Sequence, residues 1–141
     1  MAFYLLGLGS NLNPDEHLPL ARQALLQHFE LLATSPELET APVGDTFQYP
    51  FKNQLAVIST GLGATRVKEI LLEIERTLGR EAKSPARKLK DRTIDLDILA
   101  EGSAAPECLN QILDESYYRR VQQIWQPVLT HDTTHQSVLK V

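Results

Sequence analysis

Cysteine is nearly absent from this chain of 141 residues: Cys108 is the single one. One thiol excludes an intrachain disulfide and a metal site built on cysteine clusters, and it suits a reducing cytoplasm. Basic charge is not in excess either. The net charge is −4 and no run of lysine or arginine occurs, which argues against general nucleic-acid binding. Long apolar runs are missing. The opening residues 1–7 carry no basic segment, and their apolar run is too short for a secretion signal or a membrane span. The expectation is a cytoplasmic protein with no membrane partner. Glycine signatures are incomplete as well. Gly7-Leu8-Gly9-Ser10-Asn11 has no third glycine at dinucleotide spacing and no Gly-Lys-Ser/Thr at P-loop spacing. Taken alone, these glycines read as a turn from a strand into a helix.

What is present is an ordinary globular composition, 43% hydrophobic and 23% charged, enough for one domain over residues 1–141 with a real core. Residues 3–8 read as a buried strand. Asn13 and Pro14 suit the cap and first position of a helix, Asp15 and Glu16 suit its positive end, and Leu18, Ala21, Leu25 and Phe29 give it an apolar stripe. Residues 31–39 look extended, with Pro36 limiting them to a bulge or a sheet edge. A long loop over 40–50 carries Phe47 and Tyr49, and Phe51 follows it. These aromatics suit either a flat ligand or a fold back onto the core. Residues 51–62 form the longest strand candidate. Thr65 can cap a second helix whose stripe is Val67, Ile70, Leu71, Ile74 and Leu78, and Gly79 is a natural stop. Residues 80–90 hold Arg80, Lys83, Arg87, Lys88 and Lys90 around Pro85. They read as a solvated connector or as a mobile anion-binding lid.

The next stretch, residues 91–99, organises the rest. Ile94, Leu96 and Ile98 alternate with Asp95 and Asp97. Period-two alternation reads as a half-buried strand with an aliphatic face and an acidic one. The two carboxylates lie roughly 6.5 Å apart along such a strand. Asp is poorly suited to strands. The pair is either a solvated face or a site for a hard cation and phosphate, with Arg92 close by. The element order is strand, helix, strand, strand, helix, strand. That is the ferredoxin-like β-α-β-β-α-β, an α+β fold with a mainly antiparallel sheet and two helices on one face. After Gly102 the pattern weakens. Residues 109–121 suggest a short helix, and Ile124 to Leu129 a segment packed on the core. His131 and His135 sit four apart, without a convincing third ligand.

Five stretches occur together: residues 6–12, Glu39-Thr40-Ala41-Pro42-Val43-Gly44, Phe51-Lys52-Asn53, residues 73–80, and Arg92-Thr93-Ile94-Asp95-Leu96-Asp97-Ile98-Leu99. In this order they resemble the 6-hydroxymethyl-7,8-dihydropterin pyrophosphokinases of folate synthesis, over about residues 3–102. The family's fold is ferredoxin-like, in agreement with the element order. The resemblance implies transfer of diphosphate from ATP to the hydroxymethyl oxygen of a reduced pterin, with release of AMP. It implies Asp95 and Asp97 as ligands of two Mg²⁺ ions, Arg80 and Arg92 as grips on phosphate oxygens, and Glu75 and Ile98 at the nucleotide. It places Thr40, Pro42, Val43, Phe51 and Asn53 at the pterin. A monomer with ATP and pterin as its partners is expected. There are departures. Leu89 stands where the family has a tryptophan, Ala82 where it has a second arginine, and residues 114–123 lack its histidine and arginine. Those departures leave open a relative that binds its ligands with little transfer.

Overall fold

A computed structural model gives the architecture and describes residues 1–40, 50–79, 93–125, 128–131 and 137–140. Its first part follows the expected order: β1 (Ala2–Ser10), α1 (Pro14–His28), β2 (Glu30–Thr34), β3 (Leu38–Thr40), β4 (Phe51–Thr60), α2 (Ala64–Thr77) and β5 (Asp95–Gly102). The sheet order is β2-β4-β1-β5, and β3 also pairs with β4. All these pairings are antiparallel. The strand expected over 31–39 is thus two strands, parted at Ser35-Pro36-Glu37. Pro36 supplies no ladder donor. The break is braced instead: Leu55 N donates to Ser35 Oγ at 2.8 Å and Gln54 Nε2 to the Ser35 carbonyl at 2.7 Å.

β1 lies between β4 and β5 and is buried on both faces, since each face of the sheet carries its own core. Tyr4, Leu6 and Leu8 face α1 and α2, where Leu18, Ala21, Leu25, Val67, Ile70, Leu71 and Ile74 close the first core with Ile94 and Leu96. Each such aliphatic side chain contributes about 1.5–3 kcal/mol when fully buried. The two helices therefore share one face, as the order predicts. The opposite face has its own core, made of Leu5, Leu55, Val57 and Ala100 under α3 (Ala105–Leu109) and α4 (Ser116–Ile124). The weak pattern after Gly102 resolves into these two short helices rather than one. Trp125 is only 4% exposed and packs in this core, as expected of its segment. A hairpin of β6 (Val128–His131) and β7 (Ser137–Lys140) follows.

Three local expectations need correction. Asn13 is at the α1 cap position, but with φ 48° and no side-chain capping bond; its carbonyl takes the Glu16 and His17 amides at 3.0 Å. Asn tolerates this left-handed backbone better than most residues. Thr65 does not cap α2, because the helix starts one residue earlier with Gly63 at the cap. The glycines at 7 and 9 are not a turn: β1 runs through them to Ser10. Gly79, by contrast, ends α2 as expected, with φ 94° and its amide on the Arg76 carbonyl.

Candidate active site

Two rows of residues cross the sheet on the face opposite α1 and α2. One row is Asn53, Gly9 and Asp95; the next is Leu55, Gly7 and Asp97. Adjacent strands lie about 4.8 Å apart, so Asn53 and Asp95 stand roughly 10 Å apart across a glycine. β1 thus contributes no side chain between the amide on one flank and the carboxylates on the other. The acidic face is short for a structural reason. Leu6 pairs with Ile98 but Leu5 with Ala100, so Leu99 is an extra residue, a β-bulge. Beyond it the facing reverses, and Ala100 joins the second core.

On the amide flank, Asn53 is 2% exposed. Its Nδ2 donates to Thr40 Oγ1 at 2.9 Å, which ties β4 to β3. Its Oδ1 lies 3.0 Å from where a Cβ on Gly9 would stand, so a side chain at 9 would crowd the amide. Phe51 is half-buried at the start of β4, opposite Thr40. Thr40, Phe51 and Asn53 are therefore neighbours at one end of the sheet. Nearby, Lys52 Nζ meets Asp15 Oδ1 at 2.6 Å, and an open cleft of about 590 Å³ lies between Asn11, Asn13, Asp15, Glu39 and Pro50.

On the carboxylate flank, Asp97 is exposed and Asp95 half-buried. Partial burial by the surrounding protein, and then the charge of Asp95, pushes the Asp97 carboxyl up to about 7. Among the described residues no group of three or more metal-ligating side chains forms. Glu75 is 2% exposed on the inner side of the sheet. The Leu96 amide, between the two acids, donates to Glu75 Oε2 at 2.8 Å. In this position Glu75 braces the acid-bearing strand from below. Ile98 also lies on the inner face, packed against the first core.

Arg80, Arg92, Pro42 and Val43 lie outside the described residues, as do Leu89, Ala82, the expected lid over 80–90, Phe47, Tyr49 and His135. One residue of the site was not singled out from sequence as part of its floor. Tyr118 of α4 is 1% exposed and lays its ring against Gly7. The signal for such a neighbour is glycine inside an apolar strand, which marks close approach by another group.

Residues 5–133 match the family model described as 7,8-dihydro-6-hydroxymethylpterin-pyrophosphokinase. Three relatives are named 2-amino-4-hydroxy-6-hydroxymethyldihydropteridine pyrophosphokinase. That of Porphyromonas gingivalis is 39% identical over 101 residues, spanning 70% of this chain and 69% of its own. That of Haemophilus influenzae is 37% identical over 101 residues, 70% of this chain and 61% of its own. That of Methylorubrum extorquens is 34% identical over 118 residues, 81% of this chain and 72% of its own. The matched span runs from β1 past α4 and takes in both flanks of the glycine floor, and the chain belongs to the 7,8-dihydro-6-hydroxymethylpterin-pyrophosphokinase family.

Proposed function

We propose that this chain transfers diphosphate from ATP to the hydroxymethyl group of 6-hydroxymethyl-7,8-dihydropterin, releasing AMP, as a step of folate synthesis. The observation that carries the reading is the placement of Asn53 on one flank and Asp95 and Asp97 on the other, across a strand whose glycines put no side chain of β1 between them. The hydroxymethyl oxygen attacks the β-phosphorus, the bond from that phosphorus to the oxygen bridging to the α-phosphate breaks, AMP leaves, and the hydroxyl proton is lost. Little covalent chemistry is asked of the protein, so positioning and charge neutralisation dominate.

Asp95 and Asp97 fit Mg²⁺. They are hard oxygen donors on one strand face, and Mg²⁺ is commonly held by one or two carboxylates together with substrate phosphates. When bound there with ATP, Mg²⁺ ions, two in this reading, neutralise phosphate charge and template the in-line geometry. The chain's own residues do the rest. Asn53 offers a donor and an acceptor to the pterin ring edge. Thr40 orients that amide, Phe51 lines the ring, and Pro42 and Val43 complete the pocket. Arg80 and Arg92 hold phosphate oxygens with planar forks. Glu75 and Ile98 support the nucleotide side through the strand they hold. In this reading the protein is a cytoplasmic monomer that works without nucleic acid or membrane.

The test mixes pure protein, Mg²⁺, ATP and the reduced pterin. AMP and a diphosphorylated pterin are expected in equal amounts, and none in EDTA. AMP release that does not depend on the pterin would sink the assignment. The two flanks also separate by mutation. Asn53→Ala is expected to weaken pterin binding about tenfold or more, since a buried polar edge loses its partner. ATP binding should hold within about twofold, because the carboxylates are untouched. Calorimetry with each ligand measures both, and equal loss of the two points to general misfolding.

A further inference from the structure

Glycine within a central strand weakens it, and β1 accepts two on one face. Gly9 makes room for the Asn53 amide. Gly7 makes room for something else. A Cβ there would overlap Cζ of Tyr118, and would stand 2.7 Å from its Oη and 2.8 Å from its Cε2. The phenol thus occupies the volume that a side chain at position 7 would fill. Its hydroxyl extends toward Gly9, where a Cβ would lie 3.5 Å from Oη. The hydroxyl is therefore set between the row of Asp97 and the row of Asp95.

The ring is held firmly. Tyr118 packs in the second core with Val121 and Trp125. Tyr117 backs it, with ring centroids 4.7 Å apart and planes at 57°. A phenol hydroxyl can donate, and ionised carboxylates only accept.

We propose that Tyr118 is a positioning residue for the acidic pair: its ring sits in the space left by Gly7, and its hydroxyl, between the two rows, fixes the orientation in which Asp95 and Asp97 meet a metal-bound phosphate. The role rests on the transfer reaction proposed above. It makes Tyr118 a support beside the ligands on their own sheet face, without contact to either substrate. Groups that orient metal ligands matter nearly as much as the ligands, roughly 10- to 100-fold in affinity or activity.

Tyr118→Phe tests this because it keeps the ring and removes only the hydroxyl. Mn²⁺ binding is read by electron paramagnetic resonance in the presence of α,β-methylene ATP, and turnover by AMP release. The variant is expected to bind Mn²⁺ about tenfold more weakly and to lose about tenfold in kcat, with KM for the pterin changed less than twofold. Its melting temperature should stay within about 3 °C of the parent's, since the packing survives. Gly7→Ala, which displaces the ring, should reproduce the Mn²⁺ loss. Parent-like Mn²⁺ affinity in Tyr118→Phe overturns the proposal, and so does a kcat that stays at the parent's value in an active protein. An inactive parent whose Mn²⁺ affinity still drops in Tyr118→Phe overturns the assigned reaction and leaves the positioning role standing.

Discussion

Asp97→Asn should release no AMP above background and yet melt at a higher temperature than the parent at pH 8. The two effects have one cause. Asp97 stands beside Asp95 and is partly desolvated, and its carboxyl is raised from 3.8 to about 7. The folded protein thus holds this proton more tightly than the unfolded chain does. Between about pH 4 and pH 7 the unfolded chain ionises freely while the folded one resists, so stability falls as pH rises through that window and is flat above it. The amide removes the loss. Asp97 is exposed and solvent screens part of the repulsion, so the gain is modest, a rise of roughly 4 °C at pH 8 that vanishes near pH 4. Transfer is lost because an amide is neutral and a poor Mg²⁺ ligand, and a fall of at least about 10³-fold is expected for an electrostatic group of this kind. Thermal scans at several pH values together with the AMP assay decide the matter. A variant less stable than the parent at pH 8 would show that the repulsion is already neutralised in the folded protein.

Glu75→Ala should cost both stability and turnover. The Leu96 amide is buried beneath the acidic pair and donates to this carboxylate. Without it the amide faces a cavity, at a cost of about 2–3 kcal/mol, or roughly 8 °C in melting temperature. Asp95 and Asp97 flank that amide, so their strand shifts with it. A displacement of about 1 Å at reacting groups lowers turnover about 10²-fold. Glu75→Gln keeps a carbonyl acceptor of nearly the same reach and should recover most of the stability. Differential scanning calorimetry compares the three proteins. If Glu75→Ala melts with the parent, the bond to Leu96 does not brace the strand.

Legibility in the sequence followed the range of the interactions. The alternation over 94–98 reports a strand with an acidic face because a period of two is a purely local property. The order of strands and helices came from equally local stripes, in α2 especially. The glycines of β1 were misread for the same reason. Gly-Leu-Gly-Ser-Asn has the chemistry of a turn, and what makes it strand floor is a tyrosine far along the chain. Glu75 falls four residues after Leu71 and thus in the buried stripe of α2, but its partner amide belongs to another element. α3 and α4 are short, α4 is largely polar, and their burial depends on a sheet face that no local pattern reveals. The bulge at Leu99 leaves no mark at all, since its cause lies in pairing with β1.

The outer face of the sheet is divided lengthwise, and Tyr118 stands on the boundary. Leu5, Leu55, Val57 and Ala100 spend that face on packing, while Gly7, Gly9, Asn53, Asp95 and Asp97 carry the proposed site. The same helix therefore seals a core and backs a site. Local opening of α4 and loss of the site's geometry become one equilibrium. Ligands that bind the closed floor pull that equilibrium toward the docked helix by their binding energy. The free enzyme's amide exchange in α4 thus measures how much of the population is ready for substrate.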